Sequence, residues 1–85
     1  MYEAKVTIKN EIGLHARPAS LFIQEAIKYS SNIAVIKDEK TYNGKSIMSI
    51  LSMSAGQGQE ITIKATGEDE EEAVNGLINL IENKL

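Results

Sequence analysis

Between Tyr2 and Lys9 the chain alternates without a break, with Tyr2, Ala4, Val6 and Ile8 on one side and Glu3, Lys5, Thr7 and Lys9 on the other. A period of two predicts a half-buried β-strand. Ile33 to Ile36 predicts a second, more buried strand, and the polar run Lys37, Asp38, Glu39, Lys40 predicts a hairpin turn into a third at Thr41 to Asn43. Ile61, Ile63 and Ala65 alternate with Thr62, Lys64 and Thr66, which gives a fourth. The intervening segments carry helical spacing instead. Ala19, Phe22, Ile23, Ala26 and Ile27 form one apolar stripe, with Ser20, Gln24, Glu25 and Lys28 opposite, and predict a helix over residues 16 to 28. Ile47, Ile50 and Leu51 share a face of a short helix over Ser46 to Met53, which runs out at Ser54, Ala55, Gly56, Gln57 and Gly58. After Gly67, Asp69 stands three residues before Glu72 like a capping box, and Ala73, Val74, Leu77, Ile78, Ile81 and Leu85 mark the buried face of a last helix. The order strand, helix, strand, strand, helix, strand, helix predicts an open-faced α+β sandwich, four strands with helices over one face. Residues 1–85 are read as a single domain, without internal repeat, linker or low-complexity segment.

Composition narrows the classes of function. Apolar residues are 42% of the chain and charged residues 25%, the balance of a globular domain rather than a disordered one. There is no cysteine, hence no disulfide, no thiolate metal site and no cysteine nucleophile. No apolar run approaches the roughly 20 residues of a membrane span, and no basic start precedes an apolar stretch, so the expected location is the cytoplasm, without membrane insertion. Net charge is −3, and it is unevenly spread: Met1 to Gly67 carries +2 and Glu68 to Leu85 carries −5. That balance, with aromatics at 5%, disfavours direct nucleic-acid binding, which calls for a basic stripe and stacking rings. The acids Glu68 to Glu72 open the last helix, where they complement its dipole, and this reading is preferred to a metal or partner site.

The only histidine is His15, set in Gly13, Leu14, His15, Ala16, Arg17, Pro18. Proline is tolerated in the first turn of a helix and not in its interior, so Pro18 fixes a helix start within a residue or two of His15. The first N–H groups of a helix lack intrahelical partners and attract anions. Arg17 adds a planar donor fork suited to phosphate oxygens. A helix N-terminus also disfavours imidazolium, which leaves a ring nitrogen free as a nucleophile near neutral pH. From the residues alone two readings stay open at His15, a surface side chain beside a helix cap and an anion or phosphoryl site. A metal site is not expected, for want of a second histidine or a cysteine.

Ser46 follows Gly44 and Lys45 and opens the short helix. Its first reading is an N-cap worth about 1 kcal/mol. The same place favours a phosphate, since negative charge is stabilised at a helix N-terminus. Met48 and Met53 admit two roles, core filler and adaptable binding surface.

Gly13-Leu14-His15-Ala16-Arg17-Pro18-Ala19, with Lys45-Ser46-Ile47-Met48 in the same frame, resembles the HPr family, the histidine-containing phosphocarriers of the bacterial phosphoenolpyruvate-dependent sugar phosphotransferase system. The likeness spans essentially the whole chain, and Thr66 to Glu71 resembles the family's lead into its last helix. It implies a βαββαβα fold with a four-stranded antiparallel sheet. It further implies that His15 accepts a phosphoryl group from phosphorylated enzyme I and passes it to sugar-specific EIIA proteins or domains. Arg17, and the backbone of Ala16 and Arg17, would steady the phosphoryl oxygens. The protein would be a covalent carrier rather than a turnover enzyme, and no cofactor is implied. Partners would dock on Ser20, Ile47, Met48, Leu51, Met53 and Ser54. Ser46 matches the regulatory serine of the Gram-positive type, a substrate of the ATP-dependent HPr kinase/phosphorylase that, once phosphorylated, creates a surface for the catabolite control repressor. A mainly regulatory, Ser46-switched protein is the alternative, although His15 and Arg17 are both intact, unlike in the purely regulatory relative that lacks the histidine. Ser49 and Ser54 stand where the family usually has glycine, and Ile12 where it usually has serine or threonine, departures that bear on partner affinity.

Overall fold

The computed structural model describes all residues from Met1 to Leu85. Its elements are β1 (Tyr2–Thr7), α1 (Ala16–Ala26), β2 (Asn32–Lys37), β3 (Lys40–Asn43), α2 (Ile47–Met53), β4 (Glu60–Thr66) and α3 (Glu70–Asn83). The strands form one antiparallel sheet in the order β1-β4-β2-β3. Register explains which face is covered. Val6 pairs with Ile61, Val35 with Ile63 and Ile33 with Ala65, so the buried members of three strands line one face. Lys5 opposite Thr62 and Glu3 opposite Lys64 put polar side chains on the other. The helices bury Ala19, Phe22 and Ala26 of α1, Ile50 of α2, and Ala73, Val74, Leu77 and Ile81 of α3 in the same core. None of the helices is long and apolar enough to cross a membrane.

The expected elements form, with local corrections. The alternation of β1 continues in burial through Ile8, but the ladder stops at Thr7 because Ile8 bonds instead to the 58–59 turn, with its N–H on Gln59 O at 3.0 Å and its carbonyl accepting Gly58 N at 2.8 Å. α1 ends at Ala26, two residues early, and Ile27 is 62% exposed rather than part of the stripe. The β2–β3 hairpin turns through Asp38 and Glu39, both in the left-handed region (φ 51° and 68°), as a two-residue turn of this hand requires.

Asp69 is not the capping-box residue its spacing suggests. Its side chain makes no cap bond to α3 and instead accepts hydrogen bonds from Ser30 N, Ser31 N (both 2.9 Å) and the Ser31 hydroxyl. The Ser31 hydroxyl above all, then the Ser30 N–H, holds its carboxyl down at about 2. This ties the α1–β2 loop to the start of α3. Gly67 (φ 152°) permits the approach: a Cβ there would stand 2.6 Å from Ser31 Oγ. At the same end of α1, Tyr29 Oη donates to Glu25 Oε2 at 2.6 Å and lies against Gly76 of α3. That hydrogen bond, with burial, pushes the Tyr29 phenol up to about 12.

Candidate functional site

The loop before α1 is laced to the loop after α2, and this lacing presents His15. Gly13 N donates to Asn10 O (3.1 Å), and Asn10 Nδ2 donates to Gly13 O (2.6 Å). Gly13 is in the left-handed region (φ 63°) and touches the facing loop, where a Cβ would overlap the Ala55 carbonyl oxygen and stand 2.7 Å from Gly56 Cα. Leu14 N then donates to Ala55 O at 2.9 Å while its side chain, 2% exposed, plugs the core. Full burial of a leucine contributes about 1.5–3 kcal/mol. With Leu14 turned inward, extended backbone at the next residue turns His15 outward.

His15 is the N-cap of α1 (φ −81°, ψ −170°), as expected from Pro18, and its carbonyl accepts the first helical bond from Ala19 N at 2.7 Å. Its side chain makes no cap bond and is exposed, so both ring nitrogens are free of the helix. Pro18 has no N–H. The helix end therefore offers two backbone donors, those of Ala16 and Arg17, beside the imidazole. The Arg17 side chain is exposed and engaged in neither a hydrogen bond nor an ion pair within the chain. Such a set suits one small, multiply charged oxyanion.

One side of His15 borders a shallow depression of about 430 Å³ lined by Glu11, Ile12, His15, Ser54, Ala55 and Gly56. Ala55, Gly56 and Glu11 were not singled out by sequence. The contact of Gly13 with the second loop and the Leu14 to Ala55 hydrogen bond bring Ala55 and Gly56 there, and no local pattern announces it. Ile12 is 60% exposed at the rim. Arg17 does not line this depression. No cluster of three or more histidine, cysteine or acidic side chains is placed to hold a metal ion.

Ser46 caps α2. Its Oγ accepts from Ser49 N at 3.3 Å and its carbonyl accepts from Ile50 N at 3.0 Å. The neighbouring Lys45 ammonium is held by Tyr29 O at 2.6 Å. Ser49 Oγ accepts from Asn43 N at 2.8 Å, which fastens α2 to the end of β3. On the surface formed where α1 and α2 pack, Met48 is 73% and Ile47 36% exposed, Ser20 and Leu51 are half-buried, and Ser54 is exposed. Met53 corrects the expectation: it is 2% exposed and belongs to the core, because it sits on the inner face of the last turn of α2.

Fold and site together define a small α+β protein that presents one exposed histidine at a helix N-terminus, beside two free backbone donors and an unengaged arginine. The sequence places it further. Residues 2–83 match the family described as the PTS HPr component phosphorylation site. The chain is 46% identical over 84 residues to the HPr-like protein Crh of Halalkalibacterium halodurans, covering 99% of this chain and all of that one. It is 46% identical over 77 residues to phosphocarrier protein HPr of Mycoplasma capricolum, covering 91% and 86%. The crystal structure of HPr-C-His from Thermoanaerobacter tengcongensis superimposes with a TM-score of 0.96 at 54% identity, covering 99% of this chain and 94% of that one. The chain belongs to the HPr family of phosphocarriers of the phosphotransferase system.

Proposed function

We propose that His15 is the acceptor, taking a phosphoryl group from phosphorylated enzyme I on its ring Nδ1 and passing it to sugar-specific EIIA proteins or domains. The observation that carries this reading is the single exposed histidine at the α1 N-cap, flanked by the Ala16 and Arg17 N–H groups and an unengaged guanidinium. In the transfer the neutral ring nitrogen forms the N–P bond as the donor's bond to phosphorus breaks. Arg17 and the two N–H groups take the charge on the phosphoryl oxygens. The second transfer reverses the roles, so the chain carries the group and turns nothing over.

Ser46 is proposed as a regulatory site for the HPr kinase/phosphorylase. A phosphate at the N-terminus of α2 is favoured by the free N–H groups there, and its oxygens can replace Oγ as acceptor for Ser49 N–H. Its charge would stand beside Ile47 and Met48, and so would oppose enzyme I and offer a new contact to the catabolite control repressor. The similarity to Crh favours a second reading in which this switch is the main role. The presence of His15 supports carriage.

One experiment separates the two: intact mass after incubation with phosphoenolpyruvate and enzyme I, repeated after brief acid treatment and with His15→Ala. Carriage predicts one acid-labile phosphoryl group that the variant cannot acquire. Absence of that adduct, with acid-stable modification of Ser46 by ATP and the kinase, would leave the regulatory reading.

A further inference from the structure

The wall of the His15 depression contains a strained residue. Ser54 ends α2 in the left-handed region (φ 53°, ψ 39°), where side chains other than glycine and asparagine are disfavoured, and its own hydroxyl makes no hydrogen bond. Such a conformation persists only where the surroundings hold it. What holds it comes from the far end of β2. The Lys37 ammonium, on a side chain only 12% exposed, donates to Met53 O at 3.0 Å and to Ser54 O at 3.4 Å, two of the unpaired carbonyls at the C-terminus of α2. A cation at this end of a helix is also favoured by the dipole. The Asp38 carboxylate, 4.0 Å away and itself exposed, is its only acidic neighbour within ion-pair reach.

From Ser54 the connection to His15 is short. Ala55 O accepts Leu14 N at 2.9 Å, and Gly13 packs against the same carbonyl and Gly56. We propose that Lys37 is a positioning residue for the phosphoryl site: its largely covered side chain clamps the strained Ser54 turn, and through the Ala55 to Leu14 hydrogen bond the turn fixes the orientation of His15. This rests on His15 being the acceptor. Lys37 touches neither His15 nor the phosphoryl group and supplies no proton. The clamp and the strain are linked, because glycine at position 54 would adopt the left-handed conformation unaided.

The test uses the full chain and its Lys37→Met, Lys37→Arg, Ser54→Gly and Lys37→Met/Ser54→Gly variants, with two readouts. The first is kcat/KM for phosphoryl acceptance from enzyme I. The second is hydrogen exchange of the Leu14 amide, compared with amides of the central strand β4. In Lys37→Met, kcat/KM is expected to fall about three- to tenfold, the coupling typical of residues in one hydrogen-bonded network. Leu14 protection should fall by a similar factor beyond any change in β4. Lys37→Arg should restore most of both, and Ser54→Gly should suppress most of the Lys37→Met defect. Loss of protection at Leu14 and β4 alike would reduce Lys37 to a general stabiliser and overturn the proposal, as would Lys37→Met behaving like the unsubstituted chain. If the unsubstituted chain acquires no acid-labile group, the acceptor reading fails, while the exchange data still decide whether the clamp exists.

Discussion

Ser49 and Ser54 should respond oppositely when each is replaced by glycine. Ser49 is the third residue of α2, and its hydroxyl accepts the Asn43 N–H at 2.8 Å. Glycine there loses about 0.5 kcal/mol of helix propensity relative to serine. It also loses a hydrogen bond worth about 0.5–1.5 kcal/mol, toward the low end because Asn43 is exposed and water can replace the hydroxyl. Ser49→Gly should therefore destabilise by about 1–1.5 kcal/mol. Ser54 makes no side-chain bond and sits at φ 53°, which costs a side-chain-bearing residue about 1–2 kcal/mol. Part of the relief is offset by the greater freedom of glycine in the unfolded chain, about 0.5–1 kcal/mol. The net expectation for Ser54→Gly is a gain of about 0.5–1 kcal/mol. In a domain of this size 1 kcal/mol moves Tm by about 4–8 °C, so the two variants should lie on opposite sides of the unsubstituted chain by easily resolved margins. Thermal and urea unfolding followed by circular dichroism measure both, and an unchanged m value would place the effect in stability rather than in the denatured state. A Tm that falls in Ser54→Gly, or rises in Ser49→Gly, refutes the assignment of strain to one serine and of a fastening bond to the other.

Gly76→Ala should destabilise by about 1–3 kcal/mol although alanine is the better helix former, because the new Cβ would overlap the Tyr29 hydroxyl and lie 3.0 Å from Glu25 Oε2; in a Tyr29→Phe background, which removes the overlapping oxygen, urea unfolding should show most of that cost gone. The Asp69 carboxyl is held at about 2, below its ordinary value near 3.9, so the stability it lends is complete above about pH 4 and is lost as pH falls toward 2; the urea midpoint should drop through that window, and drop less steeply in Asp69→Asn. Ser46→Ala should lower stability by about 1 kcal/mol through the lost cap, with no kinase present, whereas Ser46→Asn, which can cap without being phosphorylated, should stay close to the unsubstituted chain and is the cleaner control for the proposed regulatory site.

The periodicity of two in β1 and β4 and the helical stripe of α1 were legible because each repeats one face often enough to outweigh local accidents. What was not legible depended on contacts between segments distant in the chain. Asp69 reads as a helix cap from its neighbours, but Ser30 and Ser31, 39 and 38 residues away, take its carboxylate. Met53 has the spacing of either face of a seven-residue helix, too short for a stripe to decide, and proves to be core. Ile27 fits the stripe of α1 and is exposed because the helix ends one residue before it. The depression beside His15 was invisible for the same reason: half of its lining comes from residues 54 to 56, brought there by one backbone hydrogen bond and one glycine contact.

The His15 segment itself divides its labour in a way that composition alone conceals. Of the seven residues from Gly13 to Ala19, four serve packing or backbone geometry. Gly13 supplies the left-handed turn against Ala55, Leu14 and Ala19 are buried, and Pro18 is buried and closes the helix start. Pro18 also acts by subtraction: lacking an N–H at the third helical position, it leaves the donors of Ala16 and Arg17 as the only backbone groups of the first turn without a partner. An anion bound at this end would thereby meet the residue that precedes those two donors, His15. Replacing Pro18 by alanine would add a third donor one step further along the helix and spread the anion-binding field away from the imidazole, even though alanine is the better helix former. The residues that only shape the backbone thus determine where an anion would settle, and the chemistry proposed for His15 rests on them.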